Sequence, residues 1–114
     1  MSLPETDLAR VRRWVAEQNE RIGEHINEMR VEMDVDPRAI TILECRPPWR
    51  EDFGPEWTRQ EIARLRHMKS TGVWTLYWPD QHSKFHRYES IEPTSNVEEL
   101  LTEISQDPTA IFWG

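Results

Sequence analysis

Ile62-Ala63-Arg64-Leu65-Arg66-His67-Met68-Lys69-Ser70-Thr71-Gly72-Val73-Trp74-Thr75-Leu76-Tyr77-Trp78 is the stretch on which the fold turns. Apolar and polar residues alternate on both sides of a Lys-Ser-Thr-Gly turn, the pattern of two antiparallel strands with one buried face. If Met68 pairs with Val73, then Ala63/Trp78, Leu65/Leu76 and His67/Trp74 share a face. Arg64/Tyr77 and Arg66/Thr75 share the other. The first set reads as core and the second as surface. Two of the chain's six tryptophans lie here, and large aromatics bury the most surface per residue, so this hairpin anchors the core.

Outward from the hairpin, residues 84–89 read as a further strand after Pro79-Asp80-Gln81-His82-Ser83. Its register stays open, because loops of three or four residues turn different side chains inward. Upstream, Val31, Met33 and Val35 alternate with Glu32, Asp34 and Asp36. Asp36-Pro37-Arg38 is a turn, and residues 39–45 return as a more apolar strand. Residues 46–58 are irregular, broken by Pro47, Pro48, Gly54 and Pro55.

Helices flank the strands. Leu8, Val11, Val15, Ile22, Ile26 and Met29 recur at helical spacing from about residue 4 to 28. A Ser2-Leu3-Pro4-Glu5 capping box opens that helix, and Gly23 costs it about 1 kcal/mol and offers an earlier end. Ser95-Asn96-Val97-Glu98 caps a second helix with the stripe Val97, Leu100, Leu101 and Ile104, which Asp107-Pro108 stops. The tail Ile111-Phe112-Trp113 is apolar and is expected to dock on the sheet. The fold class is α+β: an N-terminal helix, an antiparallel meander of about five strands, a second helix and the docked tail, in one domain over residues 1–114.

The motifs Arg46-Pro47-Pro48-Trp49, Gly54-Pro55-Glu56-Trp57-Thr58, Phe85-His86-Arg87-Tyr88 and Asp107-Pro108-Thr109-Ala110-Ile111-Phe112-Trp113-Gly114, with Trp74 to Trp78, resemble a family of small bacterial proteins. That family is described as a domain of unknown function and numbered three thousand and twenty-four. The resemblance spans nearly the whole chain and implies a small cytoplasmic bacterial protein. It brings no catalytic residues. Pro79 stands where the family pattern carries a basic residue, which removes a basic contact at that corner.

The net charge is −7, which argues against nonspecific nucleic-acid binding. Residues 46–87 nevertheless hold eight Arg or Lys against five acids, +3, leaving −10 for the remainder. A lone Cys45 excludes an internal disulfide and fits a reducing compartment. The first residues lack a signal-peptide layout and no apolar run reaches transmembrane length, so a cytoplasmic location is expected.

Candidate chemistry is sparse. Asp80, His82 and His86 supply metal-ligand types, but positions 82 and 86 stand about 13 Å apart along an extended strand, so they read as surface and packing residues. No metal and no cofactor is expected. Cys45 with a histidine makes a nucleophile and base, yet a lone cysteine at a strand end reads as a small buried hydrophobe. Glu32, Asp34 and Asp36, with Glu44 across from them, form an acidic row, but no lysine of a nuclease arrangement accompanies it, and a solvated sheet face is the reading. Arg64, Arg66, Tyr77, Lys84, Arg87 and Tyr88 form a basic-aromatic constellation suited to a weak anionic ligand or a short single strand of nucleic acid. Trp49, Phe53 and Trp57 form an interaction loop or a loop packed on the sheet. The reading is therefore a non-enzymatic binding or interaction module. The alternatives are an enzyme using His67, His82 or His86 as acid-base on an anionic small molecule or nucleic acid, and a structural component of a homodimer.

Overall fold

The computed structural model of the chain describes residues 3–48, 54 and 56–113, without the side chain of Ile26. Ser2, Trp49 and Phe53 lie outside the described residues. The element order is α1 (Glu5–Ile22), a 3-10 turn (Gly23–Asn27), β1 (Arg30–Val35), β2 (Ala39–Arg46), β3 (Thr58–Met68), β4 (Val73–Pro79), β5 (Phe85–Arg87) and α2 (Val97–Gln106). The strands form one antiparallel meander in the order β1-β2-β3-β4-β5.

The central register follows from the alternation. Leu65 stands opposite Leu76, His67 opposite Trp74 and Met68 opposite Val73. Leu65, Trp74 and Leu76 are buried together with Ile40 and Ile42 of β2, and they meet Val11, Trp14 and Val15 of α1 and Val97, Leu100, Leu101 and Ile104 of α2. Both helices thus cover the same face of the sheet. Trp74 is fully buried, and its indole N–H donates to Asp7 Oδ2 at 3.0 Å. The Trp14 indole donates to Ser105 Oγ at 2.8 Å, so each tryptophan spends its one polar atom on the helix layer.

The first helix ends earlier than its apolar spacing suggests. Gly23 takes φ +58, a left-handed conformation that stops α1 at Ile22, and the chain continues as a tight 3-10 turn. Asn19 then fastens α1 to the sheet: its side-chain amide donates to the Val31 carbonyl at 3.0 Å and accepts the Val31 N–H at 2.8 Å, covering part of the β1 edge. The N-cap of α1 is Pro4, with no side-chain capping bond. At α2 the cap is Asn96, one residue beyond Ser95, its side chain accepting the Glu98 N–H.

β3 begins at Thr58, four residues before the apolar alternation starts. Its first half pairs only with β2, and a bulge between Ile42 and Leu43 of β2 shifts the register there. Past β5, Tyr88 N–H donates to Leu76 O, and Thr94 exchanges two backbone bonds with Trp74, completing that side of β4.

The tail is held by Asp107. This residue is the left-handed C-cap of α2 (φ 43). Its Oδ1 accepts the Phe112 N–H at 3.0 Å and its Oδ2 the Trp113 N–H at 2.8 Å. The Trp113 indole donates to Ile104 O, and the buried Phe112 ring lies 5.1 Å from that of Tyr88. No helix among the described residues is long and apolar enough to cross a membrane.

Candidate functional site

The pleat that sends Ile40, Leu65 and Leu76 into the core sends their neighbours to the opposite, helix-free face. One row crosses four strands there: Thr41 pairs with Arg64, Arg64 with Tyr77, and Tyr77 with Arg87. A second row sets Ala39 beside Arg66 and Arg66 beside Thr75. Arg64 is fixed in place. Its Nε donates to Thr41 Oγ1 at 3.1 Å, Glu61 lies 3.6 Å from a terminal nitrogen, and the guanidinium sits 4.0 Å over the Phe85 ring.

These rows border a cavity of about 330 Å³ lined by Asp36, Arg38, Ala39, Arg64, Arg66, Tyr77 and Phe85. Arg38 comes from the β1–β2 turn. The Asp36 carboxylate builds that turn by accepting the N–H groups of Arg38 and Ala39, both at 2.9 Å. Arg38 and Arg66 are exposed and carry no acidic partner among the described residues.

Of the six constellation residues, Arg64, Arg66 and Tyr77 come together at this cavity. Arg87 continues the row past Tyr77 and reaches Glu92 at 3.7 Å. Lys84 lies in the hairpin turn, its N–H given to Asp80 Oδ1. Tyr88 is elsewhere: it is 3 % exposed, on the helix side, and its hydroxyl donates to Glu103 at 2.7 Å. The β5 register is the reason. Phe85 opposite Pro79 and Arg87 opposite Tyr77 leave residues 86 and 88 on the core side. Burial first, then Glu103, raises the Tyr88 phenol above its ordinary pKa. Arg38 and Phe85 were absent from the sequence-derived set. Arg38 needs the β2–β3 register to be seen beside Arg66, and Phe85 needs the β5 register.

Toward β1 the same face is closed by its own charges. Arg59 reaches Asp34 at 2.7 Å and Glu32 at 3.5 Å, and Arg30 Nε reaches Glu32 at 2.6 Å. The Arg30 guanidinium lies 4.2 Å over the half-buried Trp57 ring. The hydrogen bond to Asp34 holds the Arg59 proton more firmly than usual. Cys45 is buried beneath this layer, and desolvation, then Glu32, pushes its thiol up. Glu32 and Asp34 of the acidic row are therefore matched by arginines, while Asp36 holds the β1–β2 turn. Glu44 pairs with Val31 and turns to the other face, where it binds Arg46.

Asp80 organises the β4–β5 turn. Its Oδ1 accepts the N–H groups of His82 and Lys84, and its Oδ2 lies 2.8 Å from His86 Nε2. The His86 hydrogen bond comes first among the causes that lower the Asp80 pKa to about 2. The His86 ring packs 4.8 Å from Trp78, and His67 lies at the same distance from Trp74. Among the described residues no three His, Cys, Asp or Glu side chains gather as a metal site. A second cavity, of about 350 Å³, lies between residues 59–61 of β3, residues 79–81 and 83 of the hairpin, and Ile111 and Phe112 of the tail. Neither cavity is lined by a histidine.

Set beside known proteins, residues 2–114 match the model of a family described as Domain of unknown function (DUF3024). No curated protein matches the chain. No solved structure matches it.

Proposed function

This chain belongs to the DUF3024 family, and we propose that it is a non-enzymatic binding module whose working surface is the arginine-lined cavity on the helix-free face of the sheet. The ligand is a small phosphorylated molecule carrying a flat ring, the chemistry that a short single strand of nucleic acid also presents. The observation that carries the reading is the pair Arg38 and Arg66, two exposed guanidiniums without acidic partners among the described residues, bordering a cavity walled by Tyr77 and Phe85. Arginine forks suit phosphate oxygens, and aromatic walls suit a ring. Arg64 serves as part of the wall, since Thr41, Glu61 and Phe85 already occupy it. Asp36 offsets one of the cavity's positive charges and favours ligands that enter from the Arg66 side.

The family resemblance and the lone thiol support a bacterial, cytoplasmic setting. The acidic remainder of the chain repels long nucleic acid and leaves this face to short or monomeric anions.

The test is an NMR titration of the labelled chain with uridine monophosphate and, separately, a thymidine hexanucleotide, at about 20 mM and about 500 mM salt. Shifts are expected at Arg38, Arg66, Tyr77 and Phe85, weakening at the higher salt. The double variant Arg38→Ala with Arg66→Ala should keep the fold and lose roughly tenfold or more in affinity, the scale of charge-assisted hydrogen bonds. Shifts that survive the double variant unchanged, or none with either probe, would sink the proposal.

A further inference from the structure

The cavity on the helix-free face holds one carboxylate among its donors. Its lining brings Arg38, Arg64 and Arg66 together with Asp36. Asp36 continues the row of Ala39, Arg66 and Thr75 beyond Ala39, since its N–H donates to the Ala39 carbonyl. Ala39, buried and carrying only a methyl group, leaves the gap between Asp36 and Arg66. The two oxygens of Asp36 differ. Oδ1 accepts the N–H groups of Arg38 and Ala39, which fills both of its lone-pair positions. Oδ2 has no hydrogen bond and no ion pair among the described residues. A charged acceptor with two open positions thus stands across a gap from Arg66, in a cavity that is otherwise cationic and aromatic.

That asymmetry selects the ring. At about 330 Å³ the space lies at the low end of ligand clefts, about 300–1,000 Å³, and suits one nucleotide rather than a strand. Phosphate oxygens match the forks of Arg38 and Arg66, which leaves the carboxylate to the ring. Single bases are read on their Watson–Crick edge. Uracil and thymine offer a carboxylate one N–H between two carbonyl oxygens, which it repels. Adenine and cytosine offer an amino group beside a bare ring nitrogen. Guanine sets a ring N–H and an amino group side by side, two donors that converge on one acceptor oxygen. We propose, on the reading of this cavity as a site for a phosphorylated ring, that Asp36 is its specificity-determining residue and that the ligand is a guanine mononucleotide held by this donor edge.

The experiment is an NMR titration of the full chain, at about 20 mM salt, with guanosine, inosine, xanthosine and uridine monophosphates. Guanosine monophosphate should bind about tenfold tighter than uridine monophosphate, and inosine monophosphate, which lacks the amino group, should fall between them. Asp36→Asn keeps an oxygen for the two turn N–H groups and puts an amide donor in place of Oδ2, so the melting temperature should hold. In that variant the order of guanosine and xanthosine monophosphates should reverse, because xanthine carries a carbonyl where guanine carries the amino group. Equal binding of guanosine and uridine monophosphates, still lost in the Arg38→Ala, Arg66→Ala variant, would overturn the role of Asp36 and leave the arginine site standing. An Asp36→Asn variant that changes all of the nucleotides by one factor would reduce Asp36 to a charge in the turn and also overturn it. No binding by any of them would overturn both this proposal and the reading beneath it.

Discussion

Asp107 shows how much one side chain can settle. It ends α2 in a left-handed turn, which Asp tolerates better than most residues, and then receives two backbone N–H groups from the tail. Bonds to a charged acceptor are worth about 1.5–3 kcal/mol each. Asp107→Ala should therefore cost about 2 kcal/mol or more in urea unfolding, with Asp107→Asn intermediate because one acceptor oxygen remains. In the sequence this residue reads only as a helix stop; its second role depends on a tail that folds back. Tyr88 illustrates the reverse problem, since a Phe-His-Arg-Tyr run does not say which of its side chains turn inward. Its phenol is raised by burial, then by Glu103, so the stability it adds is complete below about pH 10 and is lost as pH climbs through the folded value. Spectrophotometric titration should show one of the two tyrosines ionising late, together with the loss of near-ultraviolet circular dichroism. Tyr88→Phe should remove that late phase. At Asp80 the sign is opposite: a pKa lowered to about 2 keeps the turn's hydrogen bonds intact above the ordinary value of 3.8 and loses them as pH falls through about 2. A carbon-detected carboxyl titration should find this low midpoint, and His86→Ala should raise it.

Single elements differ in how openly the sequence announces them. The β3–β4 hairpin is legible because period-two alternation on both sides of a turn fixes register and facing at once. That reading placed Arg64, Arg66 and Tyr77 on one face. The β2–β3 pairing was not legible: its strands are joined across an irregular segment, Thr58-Arg59-Gln60-Glu61 carries no apolar signal, and the register shifts at Ile62 just beyond it. Arg38 was missed for the same reason. The end of α1 was obscured because Ile22 and Ile26 keep the helical spacing across Gly23. The C-terminal tail behaves as an element without regular structure. Removing residues 109–114 takes Phe112 off Tyr88, empties Asp107 and frees Ile104 O. Burying one such side chain is worth about 1.5–3 kcal/mol against a total of about 5–15 kcal/mol for a small domain. The truncated chain should show no cooperative thermal transition by calorimetry; a melt like that of the full chain would contradict the docking.

The described interior satisfies its own polar groups. No buried side-chain nitrogen or oxygen among the described residues lacks a hydrogen-bond partner, so excess chelator should leave the melting temperature unchanged. Stoichiometric zinc lost together with the fold would refute this. Charge is unevenly divided: interlocked pairs of both signs toward β1, and at the cavity Arg38 and Arg66, which have no acidic partner among the described residues. The contacts that join the helix layer also span the chain. Asp7 meets Trp74, Trp14 meets Ser105, and Arg13 meets Glu98, while the strands between them pair with their neighbours in sequence. During synthesis α1 emerges first, and the sheet face and the α2 helix that cover it follow only later. Val11 and Trp14 therefore stay bare until those later elements have followed, and the nascent chain displays a hydrophobic helix face that the finished protein buries.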